Sequence, residues 1–548
     1  MPSVPFVARR AAGGMVAAAD QLACSAGVAM LERGGSAADA TVAAAVAMAV
    51  VGPHLCGLGG DVLAMVKAPG EPPAALLSVG RAGTGADPER LRVGGHSDMP
   101  LRGDVASVPV PGAVDGWLAL HERYGNLPWT TVLRPAVTLA EEGFPASEIL
   151  AFATHLVAGL PGTSDLCPDG PLEPNQLVRL PGVAATLRAI AAQGREGFYG
   201  GEFGHALLEL GDGEYRADDL RLPLAEWAPP LSVRALGHDL WTVPPPSQGY
   251  VTLAAAWIAE QLALPDDPGD PRWPHLVAEI GRVAAFDRPS VLYDGADGVA
   301  LLAPERLGPR AEAVNPDHRV SSFGGFRSAV SASPPGATAA RGLSSDGDTT
   351  HLCAVDGDGL GVSLTQSNAL DFGAHLVAGA TGVFLHNRGV GFSLEPGHPG
   401  EYGPGRRPSH TLSPALVTRP DGSLAQVIGT MGGDIQPQIL LQLLLRTLVC
   451  GQGPAEAISA ARVVPESPGA PPFRLWHAAT QSLLIELHAP ASWQRGLEER
   501  GHGVRVVGAF NPVDVGCSQI ISLHRVDGRS LLLGASDPRS PEGDALGR

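Results

Sequence analysis

The chain has 548 residues, of which 44% are apolar and 17% charged, and its formal net charge is −18. That much apolar material is enough for a large buried core and argues against a disordered chain. The acidic excess, with no basic run to offset it, argues against nucleic acid and anionic membrane surfaces as partners.

In chain order, the opening "MPSVPFVARRAAGGMVAAAD" holds two arginines but no apolar core of signal-peptide length, so no secretory leader is expected. "DQLACSAGVAMLERGG" carries apolar residues at helical spacing and a Gly-Gly stop, and "SAADATVAAAVAMAVV" predicts a second helix with Ser36 as N-cap. The stretch around it is the longest apolar run; Pro53 and His54 break it, which predicts a buried helix and not a membrane span. A glycine turn, "CGLGGD", follows at Cys56–Asp61. From about 105 to 230 the pattern is mostly helical, and "TVPPPSQGYVTLAAAWIAEQLAL" predicts a strand, a proline-glycine loop and a long helix. Residues of about 320–348 are rich in Ser, Ala, Gly and Pro without periodicity, which predicts a flexible linker. Beyond it, 349–430 reads as strand-rich, with "HLCAVD", "GVSLTQS" and "GVFLHN" among the strands, and "QPQILLQLLLRTLVCG" as the helix after them. Helices flanking stacked antiparallel strands imply a layered α/β body, divided by the linker into 1–348 and 349–548. The six cysteines, at 24, 56, 167, 353, 450 and 517, form no CxxC pair. Neither a zinc site nor a disulfide framework is expected, no metal or cofactor is implied, and a reducing cytoplasm fits.

The chemistry concentrates at "SSDGDTTHLCAVDGDGLGVSLTQSN", where two threonines open a hairpin whose turn is "DGDG". A hydroxyl is a poor nucleophile unless a base takes its proton. A threonine at a chain N-terminus carries its own base, an α-amine titrating at roughly 7.7–8.0. Thr349 is internal, so that role requires the bond between Asp348 and Thr349 to be cut; the alternative is a threonine that merely starts a strand.

"DTTHLCAVDGDGLGVSLTQSN", "GLGGD", "PPPSQG", "TMGGD" and "GASDPRS", in that company and over about residues 13–543, resemble the γ-glutamyltransferase family of self-cleaving N-terminal-nucleophile hydrolases. The resemblance implies a four-layer αββα sandwich built from both segments, which stay associated as a heterodimer after cleavage before Thr349. It also implies acyl transfer from a small-molecule amide to water or an amine. By the same resemblance Ser367 hydrogen-bonds the nucleophile, and Gly432 and Gly433 supply oxyanion-hole N–H groups. Arg81 matches the arginine that takes the donor's α-carboxylate, while Thr350 and His351 fill the other two motif positions, His351 as structural support. Departures from the family pattern fall at the substrate end. Gly391 stands where glutathione-cleaving members carry the acid that grips an ammonium group, and Arg388 stands at a place usually neutral or acidic. His410 and Thr411 replace a Ser-Ser pair, and the family's asparagine falls on Ala369 with Asn368 beside it. Arg388, His410, Thr411 and Asn368 are therefore expected to bind substrate, with an anionic glutaryl-type or oxo-acid acyl group favoured over γ-glutamyl. Restoring an acid at 391 together with Arg388→Gln should reverse that preference. Two other functions are compatible with the residues: carbon–carbon cleavage by the same threonine in a biosynthetic hydrolase, and a relative that only binds a metabolite.

Overall fold

The computed structural model describes residues 7–211, 213–321, 348–468, 470, 472–477, 481–526 and 529–548. All but the two ends of the expected linker lies outside that set. Two antiparallel seven-stranded sheets form the centre. One runs in the order Asp544–Gly547, Gly14–Ala18, Asp348–Asp356, Gly361–Ala369, Asp61–Lys67, Ala74–Ser78, Ala225–Ala228. The other runs Arg9–Ala11, Arg529–Ser536, Ser518–Val526, Leu424–Thr430, Ala415–Thr418, His238–Thr242, Leu231–Ala235.

Three apolar layers separate four structural ones. Met15, Leu63, Met65, Val355, Leu416 and Ile521 fill the space between the sheets. Helices Gln21–Glu32, Ala37–Val51 and Ala113–Tyr124 cover the outer face of the first sheet, and Tyr250–Glu260, Trp273–Ala285 and Gln436–Leu444 that of the second. The result is the αββα sandwich expected from the resemblance. Apolar side chains alternate between a helix-facing and a sheet-facing layer, so each central strand is buried on both faces.

Both helices expected near the N-terminus form, the second from Ser36 as N-cap. Asp20 caps the first helix by accepting from the N–H groups of Leu22 and Ala23 at 2.7 and 3.4 Å. Ser36 and Asp39 form a reciprocal capping box at the head of Ala37–Val51, and every residue of that helix is buried. Among the described residues no helix is long and apolar enough to cross a membrane.

One expected strand is absent as such. "GVFLHN" makes only isolated bridges, Val377 with Phe384 and Gly59 with Leu385. Its N–H groups bond to loop carbonyls, Leu385 to Leu376 and His386 to Gly59, so its apolar residues are buried against loops across the end of the sandwich. The same crossing carries His386–Arg388 to the mouth of the first sheet.

Candidate active site

The hairpin of Asp348–Asp356 and Gly361–Ala369 lies in the middle of its sheet, flanked by Gly14–Ala18 and Asp61–Lys67. Its turn is tied by Asp356, whose carboxylate accepts from the N–H groups of Asp358, Gly359 and Leu360 at 3.0–3.1 Å. At its open end the register shifts between Asp348 and Thr350, so Thr349 sits on a bulge. Such irregularities re-aim a side chain out of the ladder. Here Thr349 is 2% exposed, and its Oγ1 lies 3.0 Å from Ser367 Oγ on the partner strand.

Ser367 Oγ also accepts from the backbone N–H of Ala369 at 2.8 Å and from Arg388 Nη2 at 3.1 Å. Arg388 Nη1 donates to Thr411 Oγ1 at 3.0 Å. Four residues far apart in sequence thus form one hydrogen-bonded row: Thr349, Ser367, Arg388, Thr411. Burial lowers the Arg388 guanidinium to about 10, which leaves it charged at neutral pH.

Gly432 and Gly433 end strand Leu424–Thr430 and lead into helix Gln436–Leu444, with φ of +133° and +54°. Those angles favour glycine, and a Cβ on Gly432 would meet Ile439 at 3.1 Å and Ile435 at 3.2 Å. Gln248, from the proline-glycine loop, ties this turn to the row, with Nε2 donating to the carbonyls of Gly433 at 2.8 Å and Thr411 at 2.9 Å.

Beneath Thr411 lies a buried cluster with no local signature in the sequence. The Asp61 carboxylate, from the "CGLGGD" turn, faces His410 Nε2 at 3.1 Å and His386 Nδ1 at 3.2 Å and accepts from the N–H of Gly80 at 3.0 Å. Burial alone would raise the Asp61 carboxyl, but the two imidazoles hold it below the usual carboxylate range. His410 Nδ1 accepts from the N–H of Leu412 at 3.3 Å, so its Nε2 carries the proton directed at Asp61. Burial and the nearby Arg388 lower His410 to about 4. His410 therefore serves this cluster as a neutral donor to Asp61, and its neighbour Thr411 meets the row. An acid after a Gly-Gly pair was the available signal; nothing local links it to a histidine 349 positions away.

The remaining expected site residues are placed as follows. Asn368 alternates to the opposite side of its strand from Ser367 and donates from Nδ2 to the Pro53 carbonyl at 3.1 Å, against the glycine turn. Arg81 is half-buried and donates to the Gly405 carbonyl at 3.2 Å, near Arg407 and outside the row. His351 lies between the sheets, with Nε2 3.0 Å from Ser363 Oγ, and burial lowers it to about 3. Asp348 contributes backbone to the first strand. A side chain at Gly391 would collide with the Ser409 carbonyl, so the expected restoration of an acid there requires that loop to move.

Two cavities flank the row. A polar one of about 450 Å³ is lined by Arg288, Arg388, Thr411, Phe473, Arg474 and His477 among others, and Arg388 stands 5.4 Å over the Phe473 ring. Arg388 and Thr411 are the members of the row that line it. Thr349 itself borders a smaller, mainly apolar cavity of about 240 Å³ with His54, Phe152 and Met431.

The γ-glutamyltranspeptidase family model matches residues 23–547. An oxamate amidohydrolase proenzyme from Klebsiella pneumoniae is 35% identical, over 96% of this chain and 97% of its own. A glutathione hydrolase-like YwrD proenzyme from Bacillus subtilis is 33% identical, over 97% and 98%. The crystal structure of a cephalosporin acylase from Bacillus halodurans superposes with a TM-score of 0.85 at 29% identity, covering 100% of this chain and 99% of that one. With its sandwich, its hairpin and the order of its motifs matched over nearly the whole length, the chain belongs to the γ-glutamyltranspeptidase family.

Proposed function

We propose that this chain is a self-cleaving amidohydrolase or acyltransferase whose nucleophile is Thr349, acting on small amides with an anionic acyl group. The observation that carries the reading is the buried Thr349 Oγ1, set on a bulge 3.0 Å from Ser367 Oγ. The proenzyme and acylase names of its relatives support it. In self-cleavage, Thr349 Oγ1 attacks the carbonyl carbon of Asp348. The carbon–oxygen bond forms, the carbon–nitrogen bond breaks, and the hydroxyl proton passes to the departing nitrogen. Water then hydrolyses the ester, leaving a carboxylate on Asp348 and a free amine on Thr349. In turnover that amine takes the hydroxyl proton and delivers it to the leaving amine, while the N–H groups of Gly432 and Gly433 stabilise the oxyanion. The acyl-threonine ester is then released to water or to an acceptor amine. Each sheet contains strands from both sides of the cut, which would hold the two segments together as a heterodimer.

The polar cavity supports the choice of acyl group. Of its four arginines, Arg92 is paired with Glu89 and Glu401, Arg288 with Asp434 and Arg474 with Asp98, whereas Arg388 has no ion-pair partner among the described residues. A carboxylate or oxo-acid would complement that charge; the ammonium of a γ-glutamyl group would oppose it in a partly dry site. The test compares glutaryl and γ-glutamyl p-nitroanilides on the processed enzyme. A higher kcat/KM is expected for the glutaryl compound, and the reverse order would overturn the acyl assignment alone. The nucleophile is tested separately by Thr349→Ala, which should lack both processing and turnover.

A further inference from the structure

Ser367 Oγ is the meeting point of the row. Two N–H donors, from Ala369 at 2.8 Å and from Arg388 at 3.1 Å, converge on an oxygen that also lies 3.0 Å from Thr349 Oγ1. Thr349 Oγ1 donates to that oxygen, and the charged donor from Arg388 places positive potential on it and, through it, on Thr349 Oγ1. The guanidinium that supplies one of them is 2% exposed and anchored at its far side by Thr411. Nearby carboxylates do not neutralise it by direct contact: Asp61 is engaged by His386, His410 and the Gly80 N–H, and Asp434 by Arg288 and the Leu475 N–H. A positive charge therefore stands one hydroxyl away from the oxygen that must become negative as it attacks.

We propose that Arg388 is a positioning residue for Thr349 that acts through Ser367: clamped between Ser367 and Thr411, it fixes the serine hydroxyl against the nucleophile and favours development of negative charge on Thr349 Oγ1. This rests on the self-cleaving threonine described above and assigns Arg388 a role that does not require substrate. Charge on a fixed fork, with one nitrogen for each hydroxyl, is what the geometry uses; lysine supplies the charge without the fork.

Self-cleavage separates this role from substrate binding, because the scissile bond belongs to the chain itself. The full-length protein is purified uncut from a short expression, and conversion to segments 1–348 and 349–548 is followed by denaturing gel between pH 6 and 9. Arg388→Gln should cleave roughly tenfold slower or more, with the rising limb of its rate–pH curve displaced to higher pH, because loss of the cation makes the threonine hydroxyl less acidic. Arg388→Lys should recover part of the rate, and Thr411→Val, which keeps the charge but removes its outer anchor, should fall between wild type and Arg388→Gln. Circular-dichroism melting checks that each variant is folded; if Arg388→Gln is not, the lysine and valine variants decide. Folded variants that cleave at the wild-type rate with an unshifted pH curve overturn the proposal and leave the nucleophile intact. A wild-type chain that stays uncut overturns both.

Discussion

Thr349 gains its setting from a single slip of register, which turns a strand-initiating residue toward Ser367 instead of into the ladder. Thr349→Ser keeps the hydroxyl and should retain measurable self-cleavage on the gel assay, whereas full loss would indicate that the methyl group is needed to hold the rotamer. At Gly433 the backbone φ of +54° disfavours a β-branched side chain. Gly433→Val should lower kcat by roughly two to three orders of magnitude by forcing the turn to move and displacing its backbone N–H from the oxyanion, with normal kcat showing that the turn lies outside the chemistry. Gly391→Asp, even combined with Arg388→Gln, should not create a γ-glutamyl specialist, because its Cβ and the Ser409 carbonyl cannot occupy the same space. A kcat/KM for γ-glutamyl p-nitroanilide above that for the glutaryl compound in the double variant would contradict this.

Between the sheets, the hairpin and strand Leu424–Thr430 are joined by His351, whose ring lies where a Cβ on Gly429 would be. Gly429→Ala should therefore cost roughly 1–3 kcal/mol through overpacking, read as a lower melting temperature, and an unchanged melting curve would show that the sheets can separate to admit a methyl. The elements themselves were legible where their signals are local: the Ser36 N-cap, the "DGDG" turn and the alternating hairpin each need only a few neighbouring residues. The same alternation separates two expected site residues, since Ser367 and Asn368 are adjacent and must face opposite sides of one strand. What the sequence could not supply is the loop crossing at 370–414. Its apolar residues read as a strand, and only the finished sandwich shows that they cover its end.

The whole molecule stores neutral histidines in its interior, and this makes it acid-sensitive. Burial lowers His54 to about 4 and His351 to about 3; burial with Arg388 lowers His410 to about 4. All three start from an ordinary value of 6.5. As pH falls from about 6.5 toward 4 the unfolded chain binds these protons before the folded one, so stability is full above that window and declines within it. Asp61, held below the usual range, adds loss in the same direction at still lower pH. The melting temperature should be level from pH 7 to 8 and fall progressively from pH 6.5 to 4, and a flat profile across the acid window would contradict the buried neutral assignment. The Asp61–His386–His410 cluster was not legible in the sequence, because its members come together only when the glycine turn and two distant loops meet. The motifs around Thr349 were legible because this threonine, its hairpin partner and the hairpin turn lie within 25 consecutive residues, 344–368. The central claim is that this threonine becomes a chain end, and N-terminal sequencing of purified protein after prolonged incubation tests it most directly. A second N-terminus beginning Thr-Thr-His-Leu at Thr349 is expected; an active protein that remains one uncut chain rules out a chain-end threonine as its nucleophile.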